Sequence, residues 1–300
     1  MEKHFELTDE TIEVAGNTLH RIRCTRDCKW AKTGDLGGFI EKEDNLSGDA
    51  WVAGNAWVSG TARVSGNAWV YDNAQVAGNA RVAGNAQVAG NARVAGNAQV
   101  YDNAQVSGNA WVSGTARVSG NAWVYDNAQV SGNAWVSGTA RVYDNARVSG
   151  TARVSGNAWV YDNARVSGNA RVSGTAQVCG NAWVYDNAQV SGNAWVSGDA
   201  QVCGDAWVYD NAQVSGDAQV CGDARIDCIK AHCGFDVFGS CGRHTHAYIT
   251  AENKIEITCG CFRGSIEEFE AKVRKTHGDN QYAHEYLAII YLIKIKFGLV

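Results

Sequence analysis

A β-solenoid of triangular coils, capped at its start and followed by a small α+β domain, is the fold class this sequence predicts. Three observations carry it. From Leu46 to Arg225 one hexapeptide, V-[S/A/Y/C]-[G/D]-[N/T/D]-A-[W/R/Q], recurs thirty times without an inserted residue, Leu46 alone replacing Val at the first position. Fixed self-similarity of this kind marks a stacked repeat architecture before any local pattern does. Within each unit Ala-x-Val alternates inward, outward, inward, the period-two signature of a strand with one buried face. The intervening tripeptides, such as Ser-Gly-Asn and Tyr-Asp-Asn, are corner chemistry, because Gly, Asn and Asp accept the positive φ that a β-branched residue resists. A three-residue strand and a three-residue corner turn the chain by about a third of a circle. Three units then close an 18-residue coil and thirty give ten coils. At ~4.8 Å between neighbouring strands, the expected prism is roughly 48 Å long.

Composition bounds the rest. The 300 residues divide into an N-terminal cap (1–45), the array (46–225) and a C-terminal α+β domain (226–300). The net charge of −5 and pI near 5.8 argue against wholesale attraction to nucleic acid. No apolar run opens the chain as a secretory leader would. The longest run near its end, Tyr286 to Ile293, falls far short of the ~20 residues that span a bilayer. The ten cysteines are unevenly scattered in a chain too long for a small disulfide scaffold, so they are expected as mostly reduced thiols in a cytoplasm.

Before the array, FELTDETIEVAGNTLHRIRCT predicts two short strands around Ala15-Gly16-Asn17, and Gly34, Gly37 and Gly38 imply tightly approached backbone. The first coil would otherwise expose a row of unpaired N–H and C=O groups, so this segment is expected to cover that edge. Cys24 and Cys28 have the spacing of half a metal site but no matching pair nearby.

Inside the array, Val stacks on Val and Ala fills the corners, each buried Val contributing ~1.5–3 kcal/mol by transfer. Asn columns at the corners are placed to hydrogen-bond along the stack. Taking every third unit separates the outward residues into three faces. The first carries Trp51, Trp69, Trp123, Trp159 and Trp195 with Arg141; the third carries Arg63, Arg81, Arg117, Arg153 and Arg171, with Arg225, Trp135 and Trp207. The second mixes both types. Exposed Trp on a flat sheet points to a contact surface, since aromatic and Arg anchors dominate interfaces; the plainer alternative is that these side chains only shield one another along the stack. The Arg-rich face raises nucleic-acid or nucleotide binding as another possibility, but 12 Asp against 10 Arg in the array disfavour it. Tyr125, Tyr143 and Tyr161, 18 residues apart, should form a stacked ladder. Cys203 and Cys221 share a corner near disulfide range, yet free thiols are expected from the compartment inferred above.

After Ile226 the sequence DCIKAHCGFDVFGSCGRHTHAY predicts irregular structure, and HAYITAENKIEITCGCF a hairpin around Glu252-Asn253. Ser265-Ile266-Glu267-Glu268 is a capping box opening one helix, and a second should run from about Gln281 to Phe297. Its apolar side, Tyr286, Ile289, Ile290, Ile293 and Phe297, should dock on the hairpin or on a second subunit. Cys241, His244, His246, Cys259 and Cys261 are weak candidate metal ligands, because their spacings match structural zinc knuckles only loosely. No metal site or cofactor is therefore expected.

The repeat resembles the left-handed parallel β-helix of hexapeptide-repeat proteins, best known from trimeric acyltransferases, which implies the left hand. That family uses a His as general base beside a projecting loop. Here no His lies between His20 and His232 and no loop interrupts the array, so an acyl-CoA-dependent acyltransferase is the disfavoured alternative. The flanking segments GDLGGFIEKEDNLSGDA and CGCFRGSIEEFEAKVRKTHGDNQYAHEYL are similar to hexapeptide-repeat proteins of bacteriophages and prophages. That resemblance implies a cytoplasmic protein of an infected bacterium, with no catalytic residue to carry over. The expected function is accordingly non-enzymatic: a rigid surface contacting a host or phage protein, or a second copy in a homo-oligomer formed through the C-terminal domain or a prism face, and acting against a host defence system.

Overall fold

The structure is a computed structural model that describes residues 3–240 and 242–300. The chain is mainly a β-solenoid of about ten turns of about 18 residues, followed by a small antiparallel sheet and two helices. It divides into two compact units, Met1–Asn163 and Ala164–Val300.

In the first unit β1 (Phe5–Val14) and β2 (Asn17–Cys24) form an antiparallel hairpin whose turn puts Ala15 and Gly16 at φ 51° and 82°. The strain falls on Ala15-Gly16 rather than on Asn17, which already belongs to β2. Strand β3 (Leu36–Ile40) lies antiparallel to β2 and parallel to the array strand Trp57–Val58, so the hairpin extends and closes one edge of the stack. Gly37 and Gly38 allow this: a Cβ on Gly38 would stand 2.4 Å from the Ala56 carbonyl oxygen.

The array consists of thirty two-residue strands among the described residues, one starting every six residues and numbered in order from β4 (Trp51–Val52) and β5 (Trp57–Val58) to β33 (Arg225–Ile226). Within each unit they pair in parallel at a spacing of 18 residues, Trp51↔Trp69 and Val52↔Val70 for example. In the first unit this gives three sheets, β3-β5-β8-β11-β14-β17-β20, β4-β7-β10-β13-β16-β19-β22 and β6-β9-β12-β15-β18-β21. The repeat Val and Ala positions are almost all fully buried. At the corners Gly takes φ near +65° to +73°, and Asp72, Asp102, Asp126 and Asp144 adopt the same region at 55° to 62°. Asn ladders run as expected: Asn67 Nδ2 donates to Asn85 Oδ1 at 3.1 Å, and that residue to Asn103 at 3.0 Å. Thr61, Thr115 and Thr139 end such rows by donating to the next Asn and to a Gly carbonyl.

Within the second unit the coils pair in the same 18-residue register, for example Arg165↔Trp183 and Trp195↔Gln213. They are followed by a four-stranded antiparallel sheet, β34 (His232–Phe238), β35 (Arg243–Ile249), β36 (Ile255–Cys259) and β37 (Phe262–Ser265). The segment expected to be irregular is therefore largely strand: β34 and β35 pair through Cys233↔Ala247 and Gly234↔His246, with a bulge between Phe235 and Phe238. One face of this sheet, with Ala247, Ile257 and Cys259, packs on helices α1 (Ile266–His277) and α2 (Gln281–Lys296). Tyr286, Ile289, Ile290 and Ile293 of α2 are buried in that core, so the predicted apolar side docks on the chain's own sheet and first helix. Ser265 caps α1 through the expected box, its hydroxyl accepting from Glu268 N. The other face of the sheet covers the last coils: Tyr248 Oη donates to the Cys221 carbonyl at 3.2 Å and Thr258 Oγ1 to the Gln219 carbonyl at 3.2 Å.

Cys203 and Cys221 are disulfide-bonded, with Cα atoms 4.6 Å apart. This corrects the expectation of free thiols there. Adjacent coils in register bring these corner positions within bonding range, as their 18-residue spacing predicted; the expectation of reduced thiols came from the inferred compartment and not from the geometry.

Candidate functional site

Two places combine chemistry with geometry, one in each unit. The first is on the Trp-rich sheet of the first unit. The guanidinium of Arg141 lies 5.3 Å from the ring centre of Trp123 and 5.1 Å from that of Trp159, between two tryptophans on the neighbouring coils. At the adjoining corner Tyr125, Tyr143 and Tyr161 stack with centroids 4.9 and 5.1 Å apart and rings within 4° of parallel, the predicted ladder. Trp123 meets Tyr125, and Trp159 meets Tyr143, edge to face. Burial pushes the Tyr125 phenol up. Trp123 and Trp159 are 41% and 37% exposed, leaving a flat aromatic surface with one held cation.

The other members of the row behave differently. Trp51 is only 2% exposed, with the buried His4 ring 6.0 Å away. It is thus a core residue and not part of any free face. Trp69 is sandwiched between Trp30 and Tyr71, with centroids 4.7 and 3.9 Å away. Both are consumed by the cap, which the repeat pattern gave no means of foreseeing. Trp195, in the second unit, stays exposed and donates from Nε1 to Cys179 Sγ at 3.1 Å. Similar bonds anchor Trp135 to Ser119 and Trp207 to Ser191.

On the Arg-rich sheet Arg63, Arg81, Arg117 and Arg153 of the first unit and Arg171 of the second are exposed. Arg63 and Arg81 are direct neighbours, whereas Trp135 separates Arg117 from Arg153 and takes the latter over its ring at 5.7 Å. A hollow of about 710 Å³ opens at the first coil among Arg26, Glu43, Asp49 and Arg63. Pairs Lys3–Glu43 and Arg26–Asp49 already balance charge there.

The second place is the coil-facing side of the C-terminal sheet. His232 and Asp236 on β34, and His244 and His246 on β35, line a cavity of about 210 Å³ with Ser215 and Gly234. His244 Nδ1 donates to Asp236 Oδ1 at 2.5 Å, His246 Nδ1 to the Gln219 carbonyl at 3.1 Å, and His232 Nδ1 to His246 Nε2 at 2.9 Å. Burial depresses His246 to about 3, helped by the facing His232, and lowers His232 against the opposing pull of the Gln213 carbonyl. Of the weak metal candidates, His244 and His246 are together here. Cys259 lies on the opposite face, accepting from Thr245 Oγ1 at 3.3 Å in the helical core, Cys261 is exposed in the turn, and Cys241 lies outside the described residues. Strand alternation separates them: residues 244 and 246 point one way, 245 and 259 the other. Among the described residues no three His, Cys, Asp or Glu side chains converge on one point. His232 and Asp236 escaped the sequence grouping because β34 was expected to be irregular; the alternation His232-x-Gly234-x-Asp236 was the available signal.

These features define a β-solenoid repeat protein. Within that class, seven segments of the chain match the family described as YdcK Beta solenoid repeat, at residues 86–102, 98–114, 140–156, 164–175, 176–192, 188–204 and 200–216. The match identifies the type of repeat and not a bacteriophage source. No curated protein matches the chain.

Proposed function

We propose that the chain is a non-enzymatic binding and scaffold protein that offers a rigid solenoid sheet to a protein partner. The observation that carries this is the Trp123–Arg141–Trp159 cluster with its Tyr ladder. Large aromatic rings and a guanidinium, held by parallel strands at fixed spacing, lose little conformational entropy on contact, and such residues supply most interface energy. Enzymatic acyl transfer finds no support, since the array sequence holds neither a His nor an inserted loop. The finer version of the proposal is a bacteriophage-type protein that occupies a host surface in the bacterial cytoplasm and inhibits a defence system; it rests on the flanking segments described above. The Trp123→Gln/Trp159→Gln double variant should fold as the parent by circular dichroism yet lose a partner captured from bacterial lysate by at least tenfold, as quantified by mass spectrometry. Equal capture by both forms would reject the aromatic face as the contact.

A specific observation also favours self-association. Helix α2 exposes Tyr291, Leu292 and Ile295, followed by Leu299, on the side away from its own core. A helix apolar all round is ordinarily covered on every side, and an isologous pair of such stripes would cover both copies.

A further inference from the structure

The cavity beside β34 and β35 holds two imidazole nitrogens with nothing to bond. The tautomers follow from the partners. A backbone carbonyl only accepts, so His246 carries its proton on Nδ1 toward Gln219, and its Nε2 is an acceptor. The proton between His246 Nε2 and His232 Nδ1 must then belong to His232. Asp236, a carboxylate, likewise fixes the His244 proton on Nδ1. What remains is His232 Nε2 and His244 Nε2, each buried and without a hydrogen-bond partner among the described residues; the Gln213 carbonyl near the His232 ring is not within bonding geometry of Nε2. Both rings line the same cavity, and the exposed Ser215, Gly216 and Asp236 at its rim leave an entry path.

We propose that this cavity is a transition-metal site in which His232 Nε2 and His244 Nε2 are the protein ligands and water fills the remaining positions. Neutral imidazole with its other nitrogen tied to a carboxylate or a neighbouring acceptor is the arrangement that metal-binding histidines use, because the second bond fixes tautomer and ring orientation and raises ligand basicity. Asp236 is the orienting group for His244 and His246 for His232; they are positioning residues. Imidazole ligands select borderline divalent ions such as Zn²⁺, Ni²⁺ and Cu²⁺ over Mg²⁺ or Ca²⁺. Two protein ligands rather than three or four make the site an exchangeable one, open to a further donor from a bound molecule. Gly234 contributes by its lack of a side chain: a Cβ there would stand 2.6 Å from His244 Cε1 and 2.9 Å from its Nε2.

The test is calorimetric titration of the full, metal-stripped chain with Zn²⁺, with Mg²⁺ as the counter-ion control. One equivalent of Zn²⁺ should bind and Mg²⁺ should give no heat. His244→Gln should weaken binding at least tenfold, and Asp236→Asn about tenfold through the lost orientation. Gly234→Ala should weaken it as well, although it removes no ligand. Circular dichroism of the metal-free variants checks folding; should His232→Gln unfold, the His244→Gln isotherm decides alone. Absence of Zn²⁺ heat, or an unchanged isotherm for His244→Gln, would overturn the proposal and leave the two nitrogens to ordinary cavity water.

Discussion

At the scale of single residues, the corner positions set the stringency of the repeat. Gly114 sits at φ +68°, and a Cβ there would come within 2.9 Å of the Gly132 backbone of the next coil. An L-residue in this region costs about 1–2 kcal/mol before any clash. Asp is nevertheless admitted at seven such corners among the described residues. Its carboxylate accepts a backbone N–H from the following coil, as Asp102 does from Gly120 at 3.1 Å and Asp72 from Gly90 at 3.2 Å. Gly114→Ala should therefore cost about 2–4 kcal/mol, the left-handed penalty plus overpacking. Gly114→Asp should cost less, an order that denaturant midpoints will rank. His4 gives a pH dependence. Its ring is buried against Trp51 and donates to the Ala50 carbonyl at 2.9 Å, and burial lowers its proton affinity below the ordinary 6.5. The unfolded chain then binds the proton more readily than the folded one. Stability contributed by neutral His4 is full above about pH 6.5 and is lost as the pH falls below it. Hydrogen-exchange protection factors of residues 3–25, corrected for the intrinsic rate at each pH, should fall between pH 7 and 5, and His4→Gln should flatten that response.

At the scale of elements, two-residue strands have no stability of their own and exist only as rungs. An inner rung rests on a Val with no exposed surface and is bonded to the coils on either side, as Trp111 N donates to the Ala128 carbonyl and Gln129 N to the Ala146 carbonyl, both at 2.9 Å. Deleting two methyl groups with Val130→Ala should cost about 2 kcal/mol. In a nearest-neighbour array that loss should stay local, quickening amide exchange most in the coils that touch residue 130. The disulfide adds a covalent rung between two coils of the second unit. For a loop of this length the chain-entropy estimate is ~3 kcal/mol. Cys203→Ser/Cys221→Ser should lower the thermal midpoint of oxidised protein and leave that of protein held in dithiothreitol unchanged. Disulfides persist in oxidising surroundings, so the bond sits uneasily with the proposed cytoplasmic setting, and thiol counting on protein taken directly from cells will show which state is used.

At the scale of the whole molecule, the sequence is mildly acidic, with a net charge of −5, and several of its cations, Arg21, Arg141 and Arg153 among them, are held by rings or carboxylates. Such a surface favours a selective contact over general attraction to polyanions. The exposed stripe of α2 makes the oligomeric state a sharp question. If the stripe joins two copies, Leu292→Glu/Ile295→Glu should convert a dimer to a monomer on sizing with light scattering. It should leave the α1–α2 core, with Ile289 and Ile293 buried, intact.

The sequence by itself determined the solenoid, because a fixed period fixes every register at once. The 18-residue coil, the inward Val and Ala, the Asn and Tyr ladders and the membership of each face all follow from position modulo 18. Capping chemistry likewise placed α1, since Ser265 and Glu268 act over three residues. Only the tertiary structure decided what depends on segments remote in sequence. The N-terminal hairpin and His4 removed Trp51 from the Trp-rich face, and Trp30 covered Trp69. The C-terminal sheet turned His244 and His246 away from Cys259 and toward His232. Which identical corners end up bonded, and which nitrogens are left bare, is set by contacts across the stack that no hexapeptide records.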